Sequence, residues 1–394
     1  MDNHSVIISA KRTSIGSFLG NLSSFSASDL ASAVIKKMLD DLKILPNDID
    51  EVILGNVLSS GQGQAPARQA TIKSGCPTSV ESLTINKMCG SGLKAVMLAD
   101  QAIRCGDADI ILAGGMESMS NAPYLLQNVR SGKKLGNGEI IDSMIHDGLL
   151  DAYTNKHMGN CAEMLVAERG YTRQDQDDYA VESYLRAKKA IDNGVFNREI
   201  IPMIIKKSKD ELASISIDEE PMRVKYEKIP KLKPAFKKNG TITAANASKL
   251  NDGAAVLVIT SEKKANELGI KPIAKILHQV SVSHDPEWFT TAPSKAIEKI
   301  LQKSGFTSSD IDLWEINEAF SVVTMAAIDD FKINYDKVNI YGGAVALGHP
   351  IGASGARILT TLLNGLTLTS SNLGLATLCI GGGEASALIV EKND

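Results

Sequence analysis

The stretch N-D-I-D-E-V-I-L-G-N, residues 47–56, returns 262 residues later as S-D-I-D-L-W-E-I-N-E, residues 309–318. Each sets an acidic turn before a short apolar run, the pattern of a buried strand entered from a polar turn. A second echo keeps nearly the same spacing: the S-G that opens a helix-forming run at Ser91 recurs at Ser354, an offset of 263. A third pairs G-G-M-E-S at 114–118 with G-G-G-E-A, aligned on Glu117 and Glu384 at an offset of 267. Three matches in one order at nearly constant offset predict an internal duplication.

Around these echoes, short apolar runs at 6–9, 52–54, 110–113, 255–259 and 375–380 predict buried strands. Amphipathic stretches lie between them, as at 30–42, where Leu30, Val34, Met38 and Leu42 fall at helical spacing. Strands alternating with helices predict a layered α/β architecture. Residues 119–250 differ in texture. They hold the turn-rich S-G-K-K-L-G-N-G at 131–138, a predicted helix over 175–193, and a polar segment at 203–238 with ten Lys/Arg against six Asp/Glu. That segment reads either as a solvated face or as an attraction for a phosphate-rich ligand. Sequence alone leaves both open.

The chain has 394 residues, 43% hydrophobic and 22% charged, a soluble globular composition with length for two or three domains. A net charge of −4 argues against a nucleic-acid binder. Five unevenly spaced cysteines do not make a disulfide framework, and no clustered Cys/His spacing points to a metal site. No run approaches the 18 apolar residues of a membrane span. A strand-like run beginning at Val6 leaves no room for a leader, and the ending E-K-N-D is not a peroxisomal address. The expectation is a cytoplasmic protein.

Reactive side chains sit in three glycine-rich pieces: N-K-M-C-G-S-G-L-K at 86–94, G-G-A-V-A-L-G-H-P-I-G-A-S-G at 342–355 and C-I-G-G-G-E-A at 379–385. Glycine lacks the Cβ that would keep backbone from a ligand. Cys89 precedes a helical run, so the helix N-terminus is expected to lower its pKa. His349 opens another helix and suits a base near neutral pH. Cys379 ends a strand, and the N–H groups of the three glycines after it suit an anion. Asn317 and Glu318 follow a strand, where an exposed amide is expected to orient water. Cys76, Cys105 and Cys161 are expected to be buried small hydrophobes, and His4, His146, His278 and His284 surface or packing residues. His157, in K-H-M-G-N, is intermediate.

Together these pieces resemble the thiolases, in particular the short-chain, acetoacetyl-CoA-forming members. The likeness spans essentially the whole chain and includes S-A-K-R-T, I-N-K-M-C-G-S-G-L-K-A, G-G-M-E-S-M-S, D-G-L-L-D-A-Y, H-M-G, T-A-A-N-A-S-K-L-N-D-G-A, N-E-A-F, G-H-P-I-G-A-S-G-A-R and C-I-G-G-G. The resemblance implies a thiolase fold of two duplicated halves, each a five-stranded mixed sheet, in an α-β-α-β-α arrangement. It divides the chain into 1–118 completed by 251–270, a loop domain at 119–250 covering coenzyme A, and 271–394. It further implies transfer of an acetyl group between two acetyl-CoA molecules through acetyl-Cys89, with no metal or prosthetic group. The implied assembly is a homotetramer, with contacts near 125–142.

Residue by residue, the resemblance makes Cys89 the nucleophile, His349 the acceptor of its proton, and Cys379 the base toward the second acetyl-CoA. It assigns one oxyanion site to His349 and a water held by Asn317, and another to the backbone N–H groups of Cys89 and Gly381. For coenzyme A it points to Leu149, His157, Met158, Arg223, Ala244, Ser248, Ala319 and Phe320. The closest rival is a degradative thiolase of broader chain length, which more often carries C-S-S-G. A ketoacyl synthase relative would replace the second cysteine, and a non-catalytic carrier would not keep Cys89, His349 and Cys379 together. A papain-like protease would have no use for the coenzyme-binding motifs.

Overall fold

The computed structural model describes residues 4–206 and 211–393. Lys207 and Lys209 of the basic segment and the terminal Asp394 lie outside them. The main strands are β1 (Ser5–Thr13), β2 (Glu51–Gly55), β3 (Glu81–Ile85), β4 (Ile110–Ser118), β5 (Asn251–Ser261), β6 (Ala274–Ser283), β7 (Leu313–Ile316), β8 (Leu373–Ile380) and β9 (Glu384–Lys392). Every predicted strand falls inside one of these. The helices that matter below are α1 (Ala27–Leu42), α2 (Pro66–Lys73), α3 (Ser91–Cys105), α4 (Met158–Arg169), α5 (Arg173–Asp192), α6 (Ala292–Ser304), α7 (Ser321–Phe331), α8 (Ala344–Leu347) and α9 (Ser354–Thr369). A full capping box at Ser26 and Asp29 fixes the start of α1, and another at Thr172 and Asp175 fixes α5.

The strands run in the order β7-β8-β9-β6-β1-β5-β4-β2-β3. In the first half β2 is parallel to β3 and β4, and β5 is antiparallel to β4 and β1. The second half repeats this: β7 is parallel to β8, and β9 is antiparallel to β8 and β6. Its counterpart of β3 shrinks to one parallel bridge, Trp314 to Val338. The halves therefore hold five strands and four strands plus a bridge. Their sheets pair where Val6 and Ile7 of β1 meet Lys275 and Ala274 of β6.

Glu51 and Leu313 start equivalent strands and Ser91 and Ser354 equivalent helices, so the first two echoes are structural. The third is not. Glu117 lies inside β4, whereas Glu384 opens β9 beyond the turn that follows β8. The residue equivalent to Glu117 at the helix offset of 263 is Ile380, and the shared G-G-x-E letters are coincidence.

Burial sorts the layers. Helices α1 and α2 cover one face of the first half-sheet through Leu30, Val34, Met38, Ala67 and Ala70. Helices α3 and α9 fill the space between the two half-sheets, with Leu93, Val96, Ile358 and Leu362 against Ile53, Leu257, Ala376 and Leu388. Helix α6 packs on the outer face of the second half-sheet through Ile297 and Ile300. The two central helices are the ones that begin beside Cys89 and His349.

Candidate active site

Cys89 stands on a tight turn between β3 and α3. Met88, just before it, adopts a left-handed backbone with φ 46°, a conformation costly for a side-chain-bearing residue. Ser91 holds the turn: its Oγ accepts from Lys87 N (2.8 Å) and donates to the Met88 carbonyl (2.7 Å). Gly90 admits a close neighbour, since a Cβ there would stand 2.3 Å from Cδ1 of Ile380. Ile380 follows Cys379, so this glycine lets the end of β8 approach the Cys89 turn.

The Cys89 sulfur receives the backbone N–H of Gly381 as well as its own. The residue keeps partial exposure, but protein encloses its sulfur. Burial pushes the thiol up to about 11, against the pull of the two N–H groups. This corrects the expectation of a thiolate stabilised by the helix end: desolvation outweighs it. Cys379 is fully buried at the end of β8, and burial and the neighbouring Cys89 both raise its pKa.

His349 is 5% exposed. Its backbone N–H donates to Asn251 Oδ1 (2.9 Å), and Nδ1 meets Ser354 Oγ at 2.5 Å. The single Ser354 hydroxyl proton goes to the Pro350 carbonyl, which can only accept (2.9 Å). Ser354 must then accept from Nδ1–H, which leaves Nε2 with its lone pair. Nε2 has no partner among the described residues. Burial, with the Arg357 guanidinium, lowers His349 to about 3, so the resting imidazole is neutral.

Asn317 is fully buried rather than exposed, and neither side-chain amide atom is paired among the described residues. Glu318 serves structure. Its carboxylate accepts from Tyr179 Oη (2.9 Å), Ser183 Oγ (2.8 Å), Asn339 Nδ2 (2.8 Å) and Val345 N (3.0 Å), tying β7 to α5 and α8. Glu117 does similar work at the other wall. It accepts from Asn56 Nδ2 (2.8 Å), Val57 N (3.0 Å), Leu58 N (3.2 Å) and Gly352 N (2.9 Å).

A cavity of about 560 Å³ opens beside these groups. Of the eight residues expected to hold coenzyme A, Leu149, His157, Arg223, Ala244, Ser248 and Phe320 line it. Met158 and Ala319 sit deeper, in the apolar cluster that contains Cys379. His157 caps α4, accepting from Gly159 N at 3.1 Å, and stacks on Phe236 with centroids 4.8 Å apart. Leu149 and Leu250 join the cavity wall to the cluster against which Cys89 packs. Sequence reading missed Phe236, Leu250, Asn251 and Ser354. Among the described Lys and Arg of the basic segment, Arg223 lines this cavity, while Lys225 and Lys228 line an adjoining hollow. Cys76 and Cys161 are buried as expected, but Cys105, on the last turn of α3, is exposed.

Known proteins match throughout. Residues 5–263 fit the thiolase N-terminal domain and residues 270–392 the thiolase C-terminal domain. The acetyl-CoA acetyltransferase of Allochromatium vinosum is 49% identical over 393 residues, covering 100% of both chains. The mitochondrial acetyl-CoA acetyltransferase of Mus musculus is 48% identical over 392 residues, covering 99% of this chain and 91% of the relative. The crystal structure of the Bacillus anthracis acetyl-CoA acetyltransferase superposes with a TM-score of 0.96 at 40% identity, covering 99% of each chain. The Acat5 thiolase of Ascaris suum, solved in complex with coenzyme A, gives 0.93 at 44% identity, covering 99% of this chain and 100% of that one. Two duplicated half-sheets, two facing thiols and a neutral buried histidine thus coincide with matches to both thiolase domain models, and the chain belongs to the thiolase family.

Proposed function

We propose that the protein is an acetyl-CoA C-acetyltransferase, joining two acetyl-CoA into acetoacetyl-CoA and free coenzyme A, and running the reverse thiolysis. The observation that carries this reading is the Cys89 sulfur facing the Gly381 N–H, with Cys379 beside it. One thiol can hold an acetyl group while the other handles a proton at the same spot.

In the first half-reaction the Cys89 proton passes to His349 Nε2 as sulfur attacks the thioester carbonyl. The N–H groups of Cys89 and Gly381 face the acetyl oxygen as charge builds there. The carbon–sulfur bond to coenzyme A breaks, and Cys379 gives its proton to the leaving sulfur. The site then holds acetyl-Cys89, a Cys379 thiolate and a His349 imidazolium. Cys379 next takes a methyl proton from the second acetyl-CoA, and the enolate oxygen is met by His349 Nε2–H and by a water that the Asn317 amide orients. The carbanion attacks acetyl-Cys89, the Cys89–acetyl bond breaks, and His349 returns its proton to the sulfur. Both thiols and the imidazole end as they began. High thiol pKa values and a low histidine pKa keep charge out of the resting site.

The reading calls for no metal or prosthetic group. We also infer a homotetramer: around the strand pair Tyr124–Leu125 and Ile141–Asp142, the side chains of Leu126, Leu135 and Ile140 are exposed, Leu135 by 96%. Free cysteines suit a reducing cytoplasmic setting, and among the described residues no helix is long and apolar enough to cross a membrane. Radiolabelled acetyl-CoA followed by peptide mapping tests the chemistry. Label on Cys89 is expected, and label elsewhere, or none, rejects the mechanism. Thiolysis over 3-ketoacyl-CoA chain lengths, with the four-carbon substrate preferred, tests the substrate class.

A further inference from the structure

Lys249 carries a charge that neither half-reaction consumes. It lies on the segment 243–250, among Ala247, Ser248 and Leu250 of the cavity wall. The residue is only partly buried because it lines the cavity, but its ammonium is enclosed. Nζ donates to the Ala247 carbonyl at 2.7 Å and the Val345 carbonyl at 3.2 Å, and lies 5.5 Å from the centre of the Tyr184 ring. Among the described residues, the carboxylates that act on it do so from farther away: Glu220, and Glu318 behind α8. The cation is held by backbone dipoles.

Val345 is the second residue of α8, four before His349. In a continuing helix the Val345 carbonyl would accept from the His349 N–H. Both partners are diverted. The His349 N–H goes to Asn251 Oδ1, and the Val345 carbonyl to Lys249. Two residues two positions apart, where the segment 243–250 runs into β5, thus take the donor and acceptor of one forgone helical bond. The Val345 peptide is gripped on both sides, its N–H by Glu318 and its carbonyl by Lys249.

We propose that Lys249 is a positioning residue for His349: its ammonium and the Asn251 amide end α8 and turn the imidazole toward Cys89. This rests on His349 being the acceptor of the Cys89 proton. Burial lowers Lys249 to about 8, against the attraction of Glu220 and Glu318. Tyr184 of α5 and Arg223, Lys225 and Lys228 of the adjoining hollow also face it. The ammonium is present below that value and lost as pH rises through it, so the clamp weakens in alkali.

The test compares Lys249→Met, Lys249→Ala and Lys249→Arg in sodium, ammonium and tetramethylammonium chloride at equal ionic strength. Lys249→Met keeps the stem, and its melting curve separates lost positioning from lost folding. Its kcat is expected to fall about 10- to 100-fold with KM for acetyl-CoA changing much less, as for a misplaced catalytic group. Ammonium should restore several-fold activity to Lys249→Ala, whereas tetramethylammonium, which has no N–H, should not. Lys249→Arg should keep activity to higher pH than the wild type. A Lys249→Met kcat within about twofold of wild type, or a loss in folded Lys249→Ala that ammonium leaves untouched, overturns the clamp. His349→Asn separates the two ideas. If it acetylates Cys89 at the wild-type rate, the role of His349 fails. If it is impaired while Lys249 is indifferent, only the clamp fails.

Discussion

Gly92 and Gly355 meet back to back where α3 and α9 cross. A Cβ on Gly92 would fall 2.8 Å from the backbone N of Ala356, and one on Gly355 would fall 2.4 Å from the backbone N of Leu93. The contact is reciprocal because the two helices are duplicate copies, and it brings the starts of both to one place. Cys89 enters from one copy and His349 from the other.

Gly355→Ala should therefore act on stability and chemistry together. The obstacle is backbone, which cannot rotate aside, so the helices must part. Overpacking of this kind costs about 1–3 kcal/mol. Denaturant titration should show that loss, and single-turnover acetylation should slow in parallel. Unchanged values in both would mean that the helices part without consequence.

Cys379→Ser should separate the two half-reactions. A serine hydroxyl is far too weak an acid to form the base that removes a methyl proton, whereas Cys89 can still attack a thioester, with coenzyme A leaving more slowly as its thiolate for want of the Cys379 proton. Stoichiometric acetylation of Cys89 should survive while acetoacetyl-CoA formation falls below detection. Equal loss of both steps in a folded variant would remove the division of labour between the thiols.

Cys89 should react slowly with iodoacetamide at neutral pH. With its thiol pushed up to about 11, the thiolate fraction grows with alkalinity across the working range. The alkylation rate should climb about tenfold per pH unit without the plateau near 8.5 of an unperturbed thiol. A plateau at or below neutrality would show that the helix end and the Gly381 N–H outweigh burial.

Glu117→Ala should destabilise the fold without touching a reacting atom. Its carboxylate satisfies four donors that join the segment 56–58 to Gly352. Each donor left buried without an acceptor costs about 1–3 kcal/mol. A melting temperature within error of wild type would mean that the two segments hold together by packing alone.

The echo between 47–56 and 309–318 announced the duplication because the same strand must enter the same layer twice. Cys89, His349 and Cys379 were legible because glycine around a reactive side chain marks backbone that must come close. Asn251 and Ser354 were not legible. A chain crossing brings Asn251 to His349, and a serine at a helix start reads as an ordinary polar residue until the loop before it folds an imidazole to 2.5 Å. The acidity of Cys89 was misjudged for the same reason. The helix end is written next to the cysteine, but the enclosure that outweighs it comes from the far end of the chain. The false echo at Glu117 and Glu384 shows the opposite hazard, local letters that match where the strands do not.

The position of β5 sets an order of assembly. Strand β4 ends at Ser118, but its neighbour β5 begins only at Asn251. β1, made first, pairs along its length with that same β5. On the ribosome the first half must wait, its apolar edges open, while the whole insertion is synthesised, and closing so long a loop is entropically costly and slow. The second half, by contrast, closes its sheet within the segment 274–392. The copy that is translated first must thus stay open until β5 has been made, and because it carries Cys89, a growing chain holds that cysteine in an incomplete sheet for as long as the insertion takes to synthesise.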